Sequence, residues 1–293
     1  RHLVIRAIPE IATQIAELKT GGVDLIRNVS ADLVPELKAH AQTYVSSAPI
    51  LRVHYVHLDM RPEPFNKKLV RQAANYAIDR EAIVEKMMAG LGRVVATTVH
   101  PAAFGHDPSV TPYTFDPKKA KELLARAGYP NGVDITLHSA FVEFRPVFEA
   151  IAQMLTEVGI RTTAKMWDPG PAWNKFFQTE GKATHGYYGS WGYYSVFDAE
   201  AILHPLYHTE PGGWVGRHYI RVEGLDQLID QGKSTVDQAA RKRTYTQIQR
   251  LLKEEAPSIF LFHQFDTLGV SKKVEYAARG DEWLWLFDAK PKR

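Results

Sequence analysis

The segment Asp116–Gly128 constrains the fold more than any other stretch of this chain. Asp116 suits a helix N-cap, Pro117 the first helical position and Gly128 the C-terminal stop, while Ala120, Leu123, Leu124 and Ala127 share one face. Tyr129-Pro130-Asn131-Gly132 then reads as a turn, and Val133, Ile135 and Leu137 alternate as in a half-buried strand. The alternation of element types continues downstream. Phe144–Val158 carries apolar residues at Phe144, Val147, Phe148, Ile151, Leu155 and Val158 and stops at Gly159. Ile160–Met166 reads as the next strand, Pro171–Phe177 as a short helix, and Thr184–Trp191 as a strand running into a loop. Helices alternating with strands predict an α/β domain with a mostly parallel sheet.

On either side of this centre, Leu3-Val4-Ile5 reads as a strand, Asn66–Gly90 as one or two helices and Gln238–Glu255 as a long amphipathic helix ending before Pro257. The continuous apolar run Ile259–Phe262 reads as a buried strand, and Glu282–Leu286 as another. His54 and His57 fall in one strand on opposite faces, which rules them out as a pair.

Composition narrows the function. The 293 residues fit one large domain or two ordinary ones, and 45% hydrophobic with 24% charged residues is globular. A net charge of +3 is too small to argue for nucleic acid. The absence of cysteine excludes disulfides, thiolate metal sites and a cysteine nucleophile. No apolar run approaches the ~20 residues of a membrane span. No leader is present either, so a secreted protein's true N-terminus is expected to be missing.

Several segments together resemble the peptide- and nickel-type extracellular solute-binding proteins of family 5. Pro64-Phe65-Asn66 followed by Val70-Arg71-Gln72-Ala73-Ala74-Asn75-Tyr76-Ala77-Ile78-Asp79-Arg80 resembles that family's signature segment. The resemblance continues at Ala120–Leu124 with Ala127–Gly132, at Arg241–Tyr245 with Gln247–Gln249, at Glu254–Ile259, and at Gly21–Ile26 near the start. It implies a lobe of the type II periplasmic-binding-protein kind, α/β with a mixed sheet and flanking helices, plus a remnant of the other lobe. Residues 1–52 would be the first-lobe remnant and hinge, 53–257 the second ligand-binding lobe, and 258–293 the hinge crossing and return. It also implies a non-enzymatic, cofactor-free component of an ABC importer. Two lobes would close over a small-molecule or short-peptide ligand and deliver it to the permease subunits. The expected location is periplasmic or the extracellular face, with membrane association only through a missing N-terminal region or the permease, and with no nucleic-acid partner.

The resemblance also nominates site residues. Gly186–Tyr194 is similar to a pocket-lining Gly-Trp loop, which nominates Tyr187, Tyr188, Trp191, Tyr193 and Tyr194. Dipeptide binders of this type place an amine-binding aspartate three residues after that tryptophan; here the position is Tyr194, and the nearest acid is Asp198. That departure favours a less cationic ligand, or one with a different polar group. Arg145 resembles the arginine that meets a ligand carboxylate, and a guanidinium at a helix start suits that role. Trp214 and Arg217 lie in a loop able to reach a cleft, and Trp167 and Trp173 are weaker candidates.

Three other readings rank lower. His204 and His208 would share a helix face, but Pro205 argues against a helix there, and no resident metal is expected. Ser190 lacks the nucleophile-elbow spacing because position 188 is tyrosine. A ligand-sensing domain of a transcription regulator is the alternative from a different class. Within transport, the rivals to a peptide are an opine, glutathione or a metal chelate.

Overall fold

The computed structural model describes residues 2–179, 185–192, 196–209 and 215–292. In chain order the elements are α1 (Ile11–Thr20), β1 (Leu25–Ile26), α2 (Val34–Ala39), β2 (Thr43–Leu58), α3 (Lys68–Tyr76), α4 (Arg80–Ala82), β3 (Gly92–Val94), α5 (Pro117–Arg126), β4 (Val133–Ser139), α6 (Arg145–Glu157), β5 (Ile160–Met166), α7 (Pro171–Asn174), β6 (Gly186–Gly192), α8 (Glu200–Tyr207), α9 (Gly216–Tyr219), α10 (Leu225–Ser234), α11 (Gln238–Glu255), β7 (Ser258–Ser271), β8 (Val274–Glu275) and β9 (Lys290–Pro291). The class is α/β with a mixed sheet, as the resemblance implies, and not the mostly parallel sheet that alternation alone predicts: β4 runs parallel to β5 and β6, but the β1–β7 and β2–β6 pairs are antiparallel.

Local chemistry sets the central elements. The Asp116 carboxylate accepts the Lys119 N–H at 2.9 Å and starts α5; Gly128, at φ +94°, reverses the chain after it. Ala120, Leu123 and Leu124 are the buried stripe. Asp237 caps α11 in the same way through the Ala240 N–H, at 2.7 Å.

The chain divides into two compact units: residues 1–50, 85–92 and 264–293, and residues 51–84 and 93–263. In the smaller, β1 pairs antiparallel with the end of β7, and Ile15, Leu18, Ile26, Val29, Val34 and Leu37 form a core. In the larger, the strand order is β7-β2-β6-β4-β5. Strand β4 runs parallel to β5, from Val133↔Ile160 to Ser139↔Met166, and parallel to β6 at His138↔Tyr187. Strand β6 runs antiparallel to β2, from Arg52↔Gly192 to Leu58↔Gly186. Gly186 sits at φ +155°, where a Cβ would meet the His57 carbonyl oxygen at 2.3 Å, so glycine is required for this approach.

Two buried arginines of the 64–80 segment lock α3 onto the α11–β7 junction. Arg71 donates to the Phe65 carbonyl at 2.8 Å, the Glu255 carbonyl at 2.8 Å and the Glu255 carboxylate at 3.2 Å. Arg80 donates to the carbonyls of Phe260, Asn75 and Ile78 and to the Asn75 side-chain oxygen. Burial pulls both guanidinium groups down to about 10, where they remain cations at neutral pH.

The structure corrects three local expectations. Residues Leu3–Ile5 form no strand and lie exposed. Residues 282–286 form no strand either: the Trp283 N–H goes to the Asp281 carboxylate at 3.1 Å and the Asp288 N–H to the Trp285 carbonyl at 3.1 Å, so local turns take the donors a ladder needs. Third, α8 exists despite Pro205, for a reason given below.

His57 shows how polar groups survive inside the larger unit. Its Nδ1 lies 2.6 Å from the Ser258 hydroxyl, its Nε2 lies 3.1 Å from the Leu206 carbonyl, and the Tyr207 hydroxyl lies 3.3 Å from Ser258. Burial pulls its pKa down to about 3, opposed by the Leu206 carbonyl. An unfolded histidine titrates near ~6.5, so the folded chain binds fewer protons below that pH. The associated stability is present above the unfolded pKa and is lost as pH falls towards 3, at up to about 1.4 kcal/mol per pH unit. Urea midpoints measured across this acid window should fall more steeply for the parent chain than for His57→Gln. Arg80→Met should cost about 3–5 kcal/mol in urea unfolding at neutral pH, because it strands several buried carbonyls.

Candidate functional site

Strands β4 and β5 run parallel and in register, so their carboxyl ends share one edge of the larger unit, where β6 joins them by its first residues at His138↔Tyr187. In open α/β sheets this edge is where ligands bind. Strand β4 leads through a turn at Val142–Phe144 into α6, which begins at Arg145. Strand β5 ends at Met166 and delivers Trp167, whose backbone N–H donates to the Ser139 carbonyl at 2.8 Å. Strand β6 delivers Trp191 one residue before its end. The edge therefore carries Arg145 and Trp167, while Trp191 lies further along β6, next to Gly192, which is in register with Arg52.

Arg145 is the reachable cation. Its side chain is 52% exposed and, among the described residues, its ion pair is a loose one of 3.8 Å with Glu149, one turn on. Its place is fixed by the preceding Phe144 ring, which lies 4.3 Å from the His54 ring. His54 in turn holds the Tyr188 hydroxyl at 2.8 Å, and Tyr188 lies 5.9 Å from Phe148 of α6. An aromatic floor thus anchors the start of α6 while the guanidinium stays in water.

Trp167 is half-buried. Its indole N–H donates to His138 Nδ1 at 3.1 Å, its ring stacks on Phe176 at 4.4 Å, and the Lys165 ammonium lies 4.7 Å from its ring centre. Burial first, then Lys165 and His185, pull the His138 pKa down to about 4, so the ring is neutral at neutral pH and can accept that bond.

The remaining nominated residues separate clearly. Tyr187 and Tyr188 are both buried, on opposite faces of β6. Tyr188 faces α6, whereas Tyr187 meets Phe177 at 4.1 Å, Tyr219 at 5.7 Å and Tyr55 at 6.2 Å. Both side chains are buried because β6 is a central strand covered on two sides. Asp198 is already engaged: Arg241 grips it through two bonds of 2.6 and 2.9 Å, and the Tyr245 hydroxyl adds a third at 3.2 Å. The Tyr245 ring is wedged between Gly105 and Gly232, where an added Cβ would come within 2.3 and 2.6 Å of it. Arg217 is exposed on α9 and contacts His218 at 3.1 Å. Tyr193, Tyr194 and Trp214 lie outside the described residues.

Trp191 explains the helix at Pro205. A proline at 205 has no N–H for the Ala201 carbonyl four residues earlier. The Trp191 indole N–H supplies that bond at 3.2 Å. The signal was present in the sequence only as two separate residues, 14 positions apart by number, with nothing to pair them.

An open groove of about 370 Å³ lies elsewhere in the larger unit, lined by Tyr76, Tyr113, Lys119, Arg250 and Lys253 among others. Its lysines are committed internally, Lys119 to the Tyr76 hydroxyl at 2.8 Å and Lys253 to Thr111. The carboxyl edge, with its exposed guanidinium, is the better candidate.

Solved structures with the same fold belong to periplasmic binding proteins of type II. The peptide-complexed DppA of Helicobacter pylori superposes with a TM-score of 0.85 at 23% identity, covering 98% of this chain and 56% of that one. NikA of Brucella suis, in complex with Fe(III)-EDTA, gives 0.86 at 19% identity, covering 97% and 61%. Residues 1–214 match the model of the bacterial extracellular solute-binding proteins, family 5 (middle region), and the chain belongs to that family. Among curated relatives, heme-binding protein A of Haemophilus influenzae is 27% identical over 94% of this chain and 50% of its own length. Glutathione-binding protein GsiB of Escherichia coli is 28% identical over 96% of this chain and 54% of its own length. The chain thus spans about half the length of the curated relatives it matches.

Trp191→Phe keeps the ring but removes the donor to Ala201. It should cost about 1–3 kcal/mol in urea unfolding, with loss of helical circular dichroism on the scale of one short helix.

Proposed function

We propose that this chain is the ligand-engaging part of an extracytoplasmic solute-binding protein that captures a carboxylate-bearing, peptide-like solute and delivers it to the permease of an ABC importer. The observation that carries the reading is Arg145, an exposed guanidinium held on an aromatic floor at the carboxyl edge of the parallel strands. A planar guanidinium makes paired bonds to carboxylate that an ammonium cannot.

The ligands of related proteins support this chemistry. Solved relatives hold a peptide, the dipeptide Met-Leu, Fe(III)-EDTA and agropinic acid, and curated relatives are named for heme and glutathione. Each of these molecules carries a carboxylate. With Asp198 occupied by Arg241, that aspartate offers no open acceptor for a ligand amine, which favours recognition through the acid end of the solute.

In this reading the larger unit corresponds to the second ligand-binding lobe and the smaller to part of the first. Capture needs no bond chemistry, because the solute stabilises the closed two-lobe state by the difference between its closed- and open-state affinities. The setting is the periplasm or the outer face of the cell. Among the described residues no helix is long and apolar enough to cross a membrane.

Mass spectrometry of solute retained by the protein carrying this chain should return a carboxylate compound. Calorimetry of that compound should then show Arg145→Ala weakening binding about 10- to 100-fold, the scale of one charge-assisted bond. Its amide or ester should bind parent and variant alike. Equal affinity of Arg145→Ala for the free acid would remove Arg145 from the site.

A further inference from the structure

We propose that His204, His208 and Asp230 form a binding site for a divalent transition-metal ion, in the larger unit and separate from the residues assigned to solute binding. His204 and His208 stand four residues apart on α8 and at its C-cap, which places them on one face. Their rings lie 4.7 Å apart with planes 20° from parallel. Asp230 comes from α10 and sets a carboxylate oxygen 3.4 Å from His208 Nε2. One ring nitrogen from each histidine and one Asp230 oxygen all lie within 4.8 Å of one another. In a tetrahedron with metal–ligand bonds of about 2.0–2.1 Å, ligand atoms stand about 3.4 Å apart. The His208–Asp230 edge already has that length, and small rotations of the half-exposed His204 ring and the exposed Asp230 carboxylate would close the rest.

An independent observation points the same way. His204 Nδ1 is buried and has no hydrogen-bond partner among the described residues. A buried, unmatched ring nitrogen costs stability unless something accepts its lone pair or takes its proton. A metal ion satisfies it. Lys233, His208, Glu200 and Asp230 are the charged and titratable groups close enough to act on the His204 ring. Those neighbours also set the local charge. Two carboxylates, Glu200 one turn before His204 and Asp230, stand against the single ammonium of Lys233, a balance that favours a cation.

Two imidazoles and one carboxylate select zinc, cobalt, nickel or copper over calcium or magnesium. Bound metal would join α8 to α10 and leave at least one coordination position open to water. Pro205 does not prevent the site, because the Trp191 indole restores the bond that the proline removes from α8.

The test uses the purified chain, stripped with chelator and dialysed. Titration with zinc chloride in a calorimeter should show one saturable site per chain, and cobalt chloride should give the visible absorption of nitrogen-ligated, low-coordinate Co(II). Zinc should raise the thermal midpoint; magnesium should not. His204→Ala should abolish the site and Asp230→Asn should weaken it at least tenfold. Both side chains are partly exposed, so both variants should fold, checked by circular dichroism. With 12 histidines in the chain, binding elsewhere is the competing outcome. An unchanged zinc isotherm in His204→Ala, or no saturable zinc binding in the parent, overturns the proposal.

Discussion

The structure of the larger unit depends on the burial of β2 and β6 from both sides. Two-sided burial removes water as a partner for the buried histidines of β2, so each is matched internally. His54 is matched by Tyr188, and His57 by Ser258 and Leu206. The partners come from β6, β7 and α8, so satisfying the strands' own polar groups also fixes the neighbours around them. Phe144 and Arg145 take their position from that arrangement, because the His54 ring is the surface on which Phe144 rests.

The segment that carries the family resemblance most strongly acquires a physical role here. Arg71, Asn75 and Arg80 do not face solvent or ligand; they bind backbone carbonyls at the junction of α11 and β7. Arginine suits this because one side chain can satisfy several carbonyls while keeping its charge. The segment works as an internal clamp on the chain where a helix hands over to a core strand.

The legibility of the chain followed the range of the interactions. Elements set by local chemistry could be read directly: the Asp116 and Pro117 start of α5, the Gly128 stop, the periodic stripe of α6 and the extent of α11. Features set by distant partners could not. The two-sided burial of Tyr187 and Tyr188 depends on layers assembled from α6, the helical turn after α7 that carries Phe177, and α9, and a Gly-Tyr-Tyr-Gly run has no period to announce it. The engagement of Asp198 depends on Arg241, 43 residues away. Arg145 was nominated from the family resemblance, and its place at the start of α6 was legible because Pro146 marks a helix start locally. Its aromatic support was not, since Phe144 meets His54 only across the folded sheet.

The bond from Trp191 to Ala201 has a consequence for how this sequence can change. Proline at 205 and tryptophan at 191 are partners in one hydrogen-bonding arrangement although they never need to touch. While the proline is present, the indole donor cannot be lost without leaving a carbonyl unmatched in α8. Once the proline is replaced, the helix supplies its own amide and the indole is released from that duty. The order of substitution therefore matters: position 205 must be relaxed before position 191 is free to drift. The end of β6 and the helix that carries His204 are tied to one another's history through a single indole nitrogen.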